Sequence, residues 1–293
     1  MIVLTTANTI TAMSPANPAA ARVTPGQQVL FQTLDCFGNH YYLPQAQRGD
    51  TMPDNPATGP LWVEGAQPGD TLKVTIRRIT VSPTAMVEQI AGKGCLGSRV
   101  DRDAFRMVPL RDGAAHFQDV TIPLRPMVGV IGTAPAQPVP TLLPGPHGGN
   151  LDCGNITQGA VVYLPVFTPG ALLAMGDLHG VMADGEIGYS GFEVYGAVQV
   201  QVDLLKGVTL PNPVVREGAQ LYFLASADTL DQAAQQASLD LCDFITRYEG
   251  RSVQDTVMLL NAIAHLGVCQ AVNGQKTVKL AVHRRFLRRH PLV

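Results

Sequence analysis

The sequence predicts a mainly β fold, a β-sandwich-rich, two-part architecture with a smaller α/β portion at its C-terminal end. Three observations lead there. The 293 residues include 29 glycines and 22 prolines, which interrupt long helices and favour frequent turns. Apolar and polar residues alternate over many short runs bounded by Gly, Pro or Asp, the mark of half-buried strands. Helical spacing begins only after residue 226. The organisation this predicts is an N-terminal β-rich domain over 1–134, then a β-rich domain over 135–293 ending in a helical pair and a hairpin.

The strands follow in order. Residues 27–34 and 61–64 are β-forming runs flanked by turn residues. The turn Gln67-Pro68-Gly69-Asp70 precedes Leu72, Val74 and Ile76, which alternate with Lys73, Thr75 and Arg77, as one buried and one wet face require. Further strands are predicted over 106–110, 115–122, 127–133, 160–166, 171–175, 192–204 and 219–224, with 54–60 and 135–146 as long exposed connections. Asp228 is placed to cap a helix carrying Leu230, Ala233, Ala237, Leu241 and Phe244, and Gly250 to end it. Ser252, with Asp255 three residues on, starts a second helix that Gly267 closes and that carries His265 as a structural histidine. Val268–Val272 and Thr277–Val282 then flank Asn273-Gly274, a tight hairpin turn.

Composition excludes several functions. A net charge of −2 gives no field for nucleic acid, and the basic run 283–290 reads as a solvated or subunit-pairing tail. The most apolar stretch, 160–175, is broken by Pro165, Pro169 and Gly170, so it is no membrane span. The N-terminus lacks the pattern of a secretory signal, and five cysteines without a C-x-x-C pair fit reduced thiols in the cytoplasm.

Chemistry concentrates in two glycine-rich, acid-containing segments, His147-Gly148-Gly149-Asn150-Leu151-Asp152 and Gly176 to Glu186, with Asp35-Cys36-Phe37-Gly38-Asn39 as a third. Imidazole and carboxylate are the non-thiolate ligands of catalytic zinc. Asp177 and His179, at i and i+2, project from one face if the chain there is extended. A polar turn without a ligand is the other reading of the same residues.

The sequence resembles the acetamidase/formamidase family. The resemblance runs through Asp35–Asn39, Thr58–Leu72, Val128–Gly132, Pro144–Asp152, Tyr163–Phe167 and Gly176–Glu186, in order along nearly the whole chain. It implies a β-sandwich-rich fold, a metal-containing amidase acting on small neutral aliphatic amides, and homo-oligomers. Asp35, His147, Asp177 and His179 match the family's polar site blocks, and Glu186 matches the glutamate that closes its G-D-G-E segment. On that basis Asp35, Asp177 and His179 are expected to hold a divalent metal, zinc or alternatively calcium. Glu186, His147 and Asn150 are expected to be catalytic, with Gly148, Gly149 and Phe37 against the substrate. Met182-Ala183 stand where the family has Gln-Gly, a change expected to alter substrate recognition. A thiol nucleophile at Cys36 or Cys153, and a non-catalytic β-sandwich binding a small ligand or cation, are the competing readings.

Overall fold

The computed structural model describes residues 1–48 and 52–292. Among these, nine strands form one sheet in the order Ile2–Leu4, Gln28–Thr33, Gly196–Leu205, Thr71–Val81, Val161–Pro165, Val214–Glu217, Gln220–Ala227, Lys276–His283 and Ala264–Gln270. A second sheet runs from Val120–Pro123 through Ala114–Phe117, Ala104–Arg111, Thr84–Gln89, Glu193–Val194, Leu173–His179 and Met127–Gly132 to Gly148–Asn150, with Ala57–Val63 also paired to Leu173–His179. Strands from either side of residue 134 neighbour one another in both sheets.

The main core lies between the sheets. Phe31, Val74, Ile76, Val198 and Val200 from the first meet Leu61, Val128, Ile131, Leu173, Leu178 and Val194 from the second. In Thr71–Val81 the alternation does what the sequence predicts: Leu72, Val74 and Ile76 are fully buried, and Lys73 and Thr75 are half-buried. The preceding turn closes as expected, with Gly69 at φ +91° and the Asp70 carboxylate accepting from the Gln67 amide at 2.9 Å.

Helix α1 (Leu230–Glu249) covers the C-terminal part of the outer face of the first sheet, and α2 (Val253–Ile263) packs beside it. Ala233, Ala237, Leu241, Phe244 and Ile245 of α1 pack on Tyr163, Leu221, Phe223, Val278, Leu280 and Val282. The mainly β prediction, with helices confined to the C-terminal part, holds.

Several boundaries differ from the sequence reading. Thr229, not Asp228, caps α1 by accepting from the Gln232 amide at 3.2 Å, and Gly250 ends it in the left-handed region as predicted. Ser252 caps α2, but α2 stops at Ile263, because Ala264–Gln270 pairs with Lys276–His283 and that ladder wins over helix propensity. His265 therefore lies on a strand and is exposed rather than a buried helical histidine. The hairpin is present, but its connection runs from Ala271 to Gln275 and takes no positive φ at Asn273 or Gly274. Residues 115–122 divide into two strands around Gln118, at φ +54°. The stretch from Asn55 to Pro60, expected exposed, is buried and largely strand. Thr84–Gln89 and Val214–Glu217 are strands without a hydrophobic alternation strong enough to announce them.

The Ser252 hydroxyl accepts from the Asp255 amide at 3.1 Å and donates to the Asp255 carboxylate at 2.8 Å. Ser252→Ala is expected to lower unfolding stability by about 1 kcal/mol, measured by urea denaturation; an unchanged midpoint contradicts the cap.

Candidate active site

Strand Leu173–His179 is buried along its whole length between Met127–Gly132 and Ala57–Val63. Leu178 points into the core, so its neighbours Asp177 and His179 share the opposite face, as the i, i+2 spacing predicts. Pairing carries other residues to them. His179 faces Glu193 across the ladder. Asp177 lies opposite Gly129, where a Cβ would stand 2.6 Å from Asp152 Oδ1 and 2.7 Å from Asp177 Oδ2. Gly129 is thus the floor on which two carboxylates meet, and Gly191 makes the same room beside the His179 ring.

His179 Nε2 is the centre of the cluster, 3.1 Å from Glu193 Oε2, 3.5 Å from Asp177 Oδ1 and 3.9 Å from Asp152 Oδ1. Two groups of ligand-type atoms lie within 4.8 Å of one another: Asp152, His179 and Glu186, and Cys36, Asp177 and Glu193. Amides fix the carboxylates. Asn55 Nδ2 donates to Asp177 Oδ2 at 3.1 Å, and Asn273 Nδ2 to Asp152 Oδ2 at 2.7 Å. With its amide turned to satisfy both ends, Asn150 donates to Asp177 Oδ2 at 2.8 Å and Asp152 Oδ2 at 3.2 Å and accepts from Asn273. Asp152, Asp177 and Glu186 all have left-handed backbones, at φ +42°, +55° and +45°, and such conformations in non-glycine residues gather at functional sites.

The electrostatics show an excess of negative charge. Burial opposes a charged His179, but Glu193 and Asp177 outweigh it and raise its pKa well above the usual value. Burial likewise opposes the Asp177 charge, and hydrogen bonds from His179 and Asn55 overcome it, so its pKa falls. Asp152, Glu186 and Glu193 are pushed up, first by burial and then by neighbouring carboxylates, with His179 acting against the rise. The Cys36 thiol rises too, by burial and then Glu193 and Asp177, which disfavours a thiolate nucleophile. One imidazole does not balance four buried carboxylates, and uncompensated buried charge is costly. Oxygen donors with one nitrogen suit a divalent cation, so the donor set fits a metal.

The site opens into a cleft of about 240 Å³ whose walls include Phe37, Ile90, Leu142 and Tyr189, with no lysine or arginine among the described lining residues.

The predicted residues separate into two groups. Asp177, His179, Glu186, Asn150 and Phe37 line the cleft. Asp35 lies just behind it: one carboxylate oxygen caps the turn at Phe37 and Asn39, the other has no partner, and burial raises its pKa to about 7. His147 is not brought to the cleft; its ring packs beside Gly145 and Gly149, and burial lowers its pKa to about 4. Gly148 and Gly149 pair with Gly132 and Ile131 and do not line the cleft. Met182 is half-buried and Ala183 exposed, and neither is among the described lining residues, so the departure from the family pattern does not face the ligand space.

The profile of the Acetamidase/Formamidase family matches residues 8–143 and 136–219. The chain belongs to the acetamidase/formamidase family. It is 27% identical over 264 residues to an acetamidase of Mycolicibacterium smegmatis, a match covering 66% of this chain and 65% of that protein, so the chain spans somewhat less than two thirds of its length. The crystal structure of an acetamidase from Bacillus halodurans superposes with a TM-score of 0.91 at 37% identity, covering 97% of this chain and 98% of that one. That of a predicted acetamidase/formamidase from Thermoanaerobacter tengcongensis does so with a TM-score of 0.94 at 37% identity, covering 98% and 96%.

Asn55, Glu193 and Asn273 are not among the predicted site residues of this family member; Cys36 enters the sequence reading only as a competing thiol nucleophile, and Asp152 only as part of the His147–Asp152 segment, without a role of its own. Glu193 had one local signal, a lone carboxylate inside the apolar run Phe192-Glu193-Val194-Tyr195. Gly129→Ala is expected to lower stability by about 1–3 kcal/mol through overpacking. Gly188→Ala, where a Cβ meets nothing within 4 Å, is expected to leave the urea midpoint nearly unchanged; equal effects at the two positions contradict the close-packed floor.

Proposed function

We propose that this protein hydrolyses the C–N bond of a short aliphatic, neutral primary amide, of the formamide or acetamide kind, to a carboxylate and ammonia with the help of a divalent cation. The observation that carries the reading is the convergence of Asp152, Asp177 and His179 Nε2 at the base of a small cleft also lined by Glu186. Family membership supports the reaction type. Asp152, Asp177 and His179, through Nε2, would hold the cation, with Glu193, whose Oε2 faces the same nitrogen, as a further carboxylate beside it, and zinc suits this donor set better than calcium because a nitrogen is included. When bound, such an ion polarises a carbonyl and makes water more acidic.

The chain's own residues supply the rest. Glu186 sits on a loop rather than on the strand, borders the cleft and stands within ligand-atom reach of Asp152 and His179. It takes the proton from the attacking water and returns it to the departing nitrogen. Asn150 and Asn273 spend their amides on the carboxylates, so they orient the site rather than the substrate. Phe37, Ile90 and Leu142 border the space for a short acyl chain.

The setting is part of the same proposal. All five cysteines are unpaired, which supports a reducing, cytoplasmic compartment, and homo-oligomers follow from the family resemblance. Among the described residues no helix is long and apolar enough to cross a membrane.

Ammonia release from formamide, acetamide and propionamide tests the reaction. Glu186→Gln is expected to reduce turnover by at least a hundredfold while keeping metal content, and full activity in that variant removes Glu186 from the chemistry. Chelation is expected to abolish activity and added zinc to restore it, whereas thiol alkylation is not. Cation binding without ammonia release from any short amide would favour a binding protein.

A further inference from the structure

Lys279, on strand Lys276–His283, is 8% exposed. A buried ammonium is costly unless fully partnered, and its partners here are specific. Nζ donates to Asn155 Oδ1 at 2.8 Å and meets both oxygens of Asp184, at 2.7 and 2.6 Å, with the Tyr222 ring 5.8 Å away. Asn155 is held in turn by Glu217, at 2.7 Å, and Glu217 by Arg125, at 2.8 Å. Asp184 is two residues before Glu186. Between them, the Gly185 amide donates to the Cys269 carbonyl at 2.8 Å, and its carbonyl accepts from Ala271 at 3.0 Å.

The loop that carries Glu186 is otherwise held by its own turns, Glu186 N to the Ala183 carbonyl and Tyr189 N to the Glu186 carbonyl, and on its C-terminal side by the Cys95 amide, which donates to the Ile187 carbonyl at 2.9 Å. Ala183, Asp184, Ile187 and Gly188 are exposed. On its N-terminal side, where Ala183 and Asp184 are exposed, the loop has little packing of its own to fix a buried carboxylate. The same hairpin that places Lys279 against Asp184 also places Asn273 against Asp152. Both members of the Asp152 and Glu186 pair are therefore referenced to one rigid element.

We propose that Lys279 is a positioning residue for Glu186: through Asp184 it fixes the loop where the Glu186 carboxylate meets Asp152 and His179. This rests on the reading of Glu186 as the proton-transferring group. Misplacing a reacting group by about 1 Å costs up to about a hundredfold in rate, so the effect belongs in kcat rather than KM.

The test compares Lys279→Met, Asp184→Asn, the double variant, Lys279→Arg and Glu186→Gln in the full-length protein, using the short amide the wild type turns over fastest. Lys279→Met and Asp184→Asn are each expected to lower kcat at least tenfold with KM within twofold, the double variant to be no worse than the poorer single one, and Lys279→Arg to recover most of the rate. Amide hydrogen exchange over 183–190 is expected to quicken in the two single variants while that of 173–179 stays unchanged, a readout that needs no turnover. Asp184 is 55% exposed at its side chain, so Asp184→Asn carries the test if Lys279→Met does not fold. Wild-type kcat or wild-type exchange in Asp184→Asn, beside an inactive Glu186→Gln, overturns the positioning role and leaves the reading of Glu186 standing. Losses that multiply in the double variant overturn it as well. An active Glu186→Gln overturns the reading on which it rests.

Discussion

Four carboxylates buried around a single imidazole are the constraint on which the rest of this structure depends. Asp152, Asp177, Glu186 and Glu193 are each at most 8% exposed, and His179 lies among them. Left to mutual repulsion and desolvation, such a group would scatter or take up protons. Two features hold it together. Gly129 removes the side chain that would separate Asp152 from Asp177. Asn55, Asn150 and Asn273 supply neutral donors to the carboxylate oxygens. The remaining negative charge is what a divalent cation would neutralise, which joins the electrostatics to the proposed chemistry.

The sandwich makes this possible by distributing the site over its topology. The strand of Asp177 and His179 is interior to the second sheet, where both neighbours restrain its backbone. Glu193 arrives by pairing with His179, and Cys36 by the turn after Gln28–Thr33. The outermost strands of the first sheet contribute the hairpin that holds Asp152 through Asn273 and the Glu186 loop through Gly185 and Asp184. The α/β C-terminal portion is therefore part of the site's architecture. Gln270 braces the hairpin loop from within, its side-chain oxygen accepting from Val272 and Asn273.

What was legible in the sequence was local. Alternation at Leu72, Val74 and Ile76 identifies a strand because its period is set by one buried face. Asp177 and His179 are legible because their i, i+2 spacing lies within a single strand. Asn273-Gly274 reads as a turn, yet the Asn273 amide works on Asp152, whose place beside it depends on chain more than a hundred residues away. His147 shows the converse. Its His-Gly-Gly-Asn setting looks like chemistry, while its ring packs within its own turn. Glu193 is a single polar residue in an apolar string and Asn55 follows another polar residue in a proline-bounded turn, and only strand pairing and burial give them a role.

If the cluster's excess of buried carboxyl groups receives a divalent cation, as proposed, the binding is directly measurable. Calorimetric titration of zinc into metal-free protein, repeated in buffers of different ionisation enthalpy, measures binding and proton release together. Saturable binding is expected, with release of about one proton or more per ion near neutral pH, because His179 and the raised carboxyls must deprotonate to coordinate, and with loss of both signals in Asp177→Asn. No saturable binding, or binding with no proton release and full affinity in Asp177→Asn, would contradict the proposal.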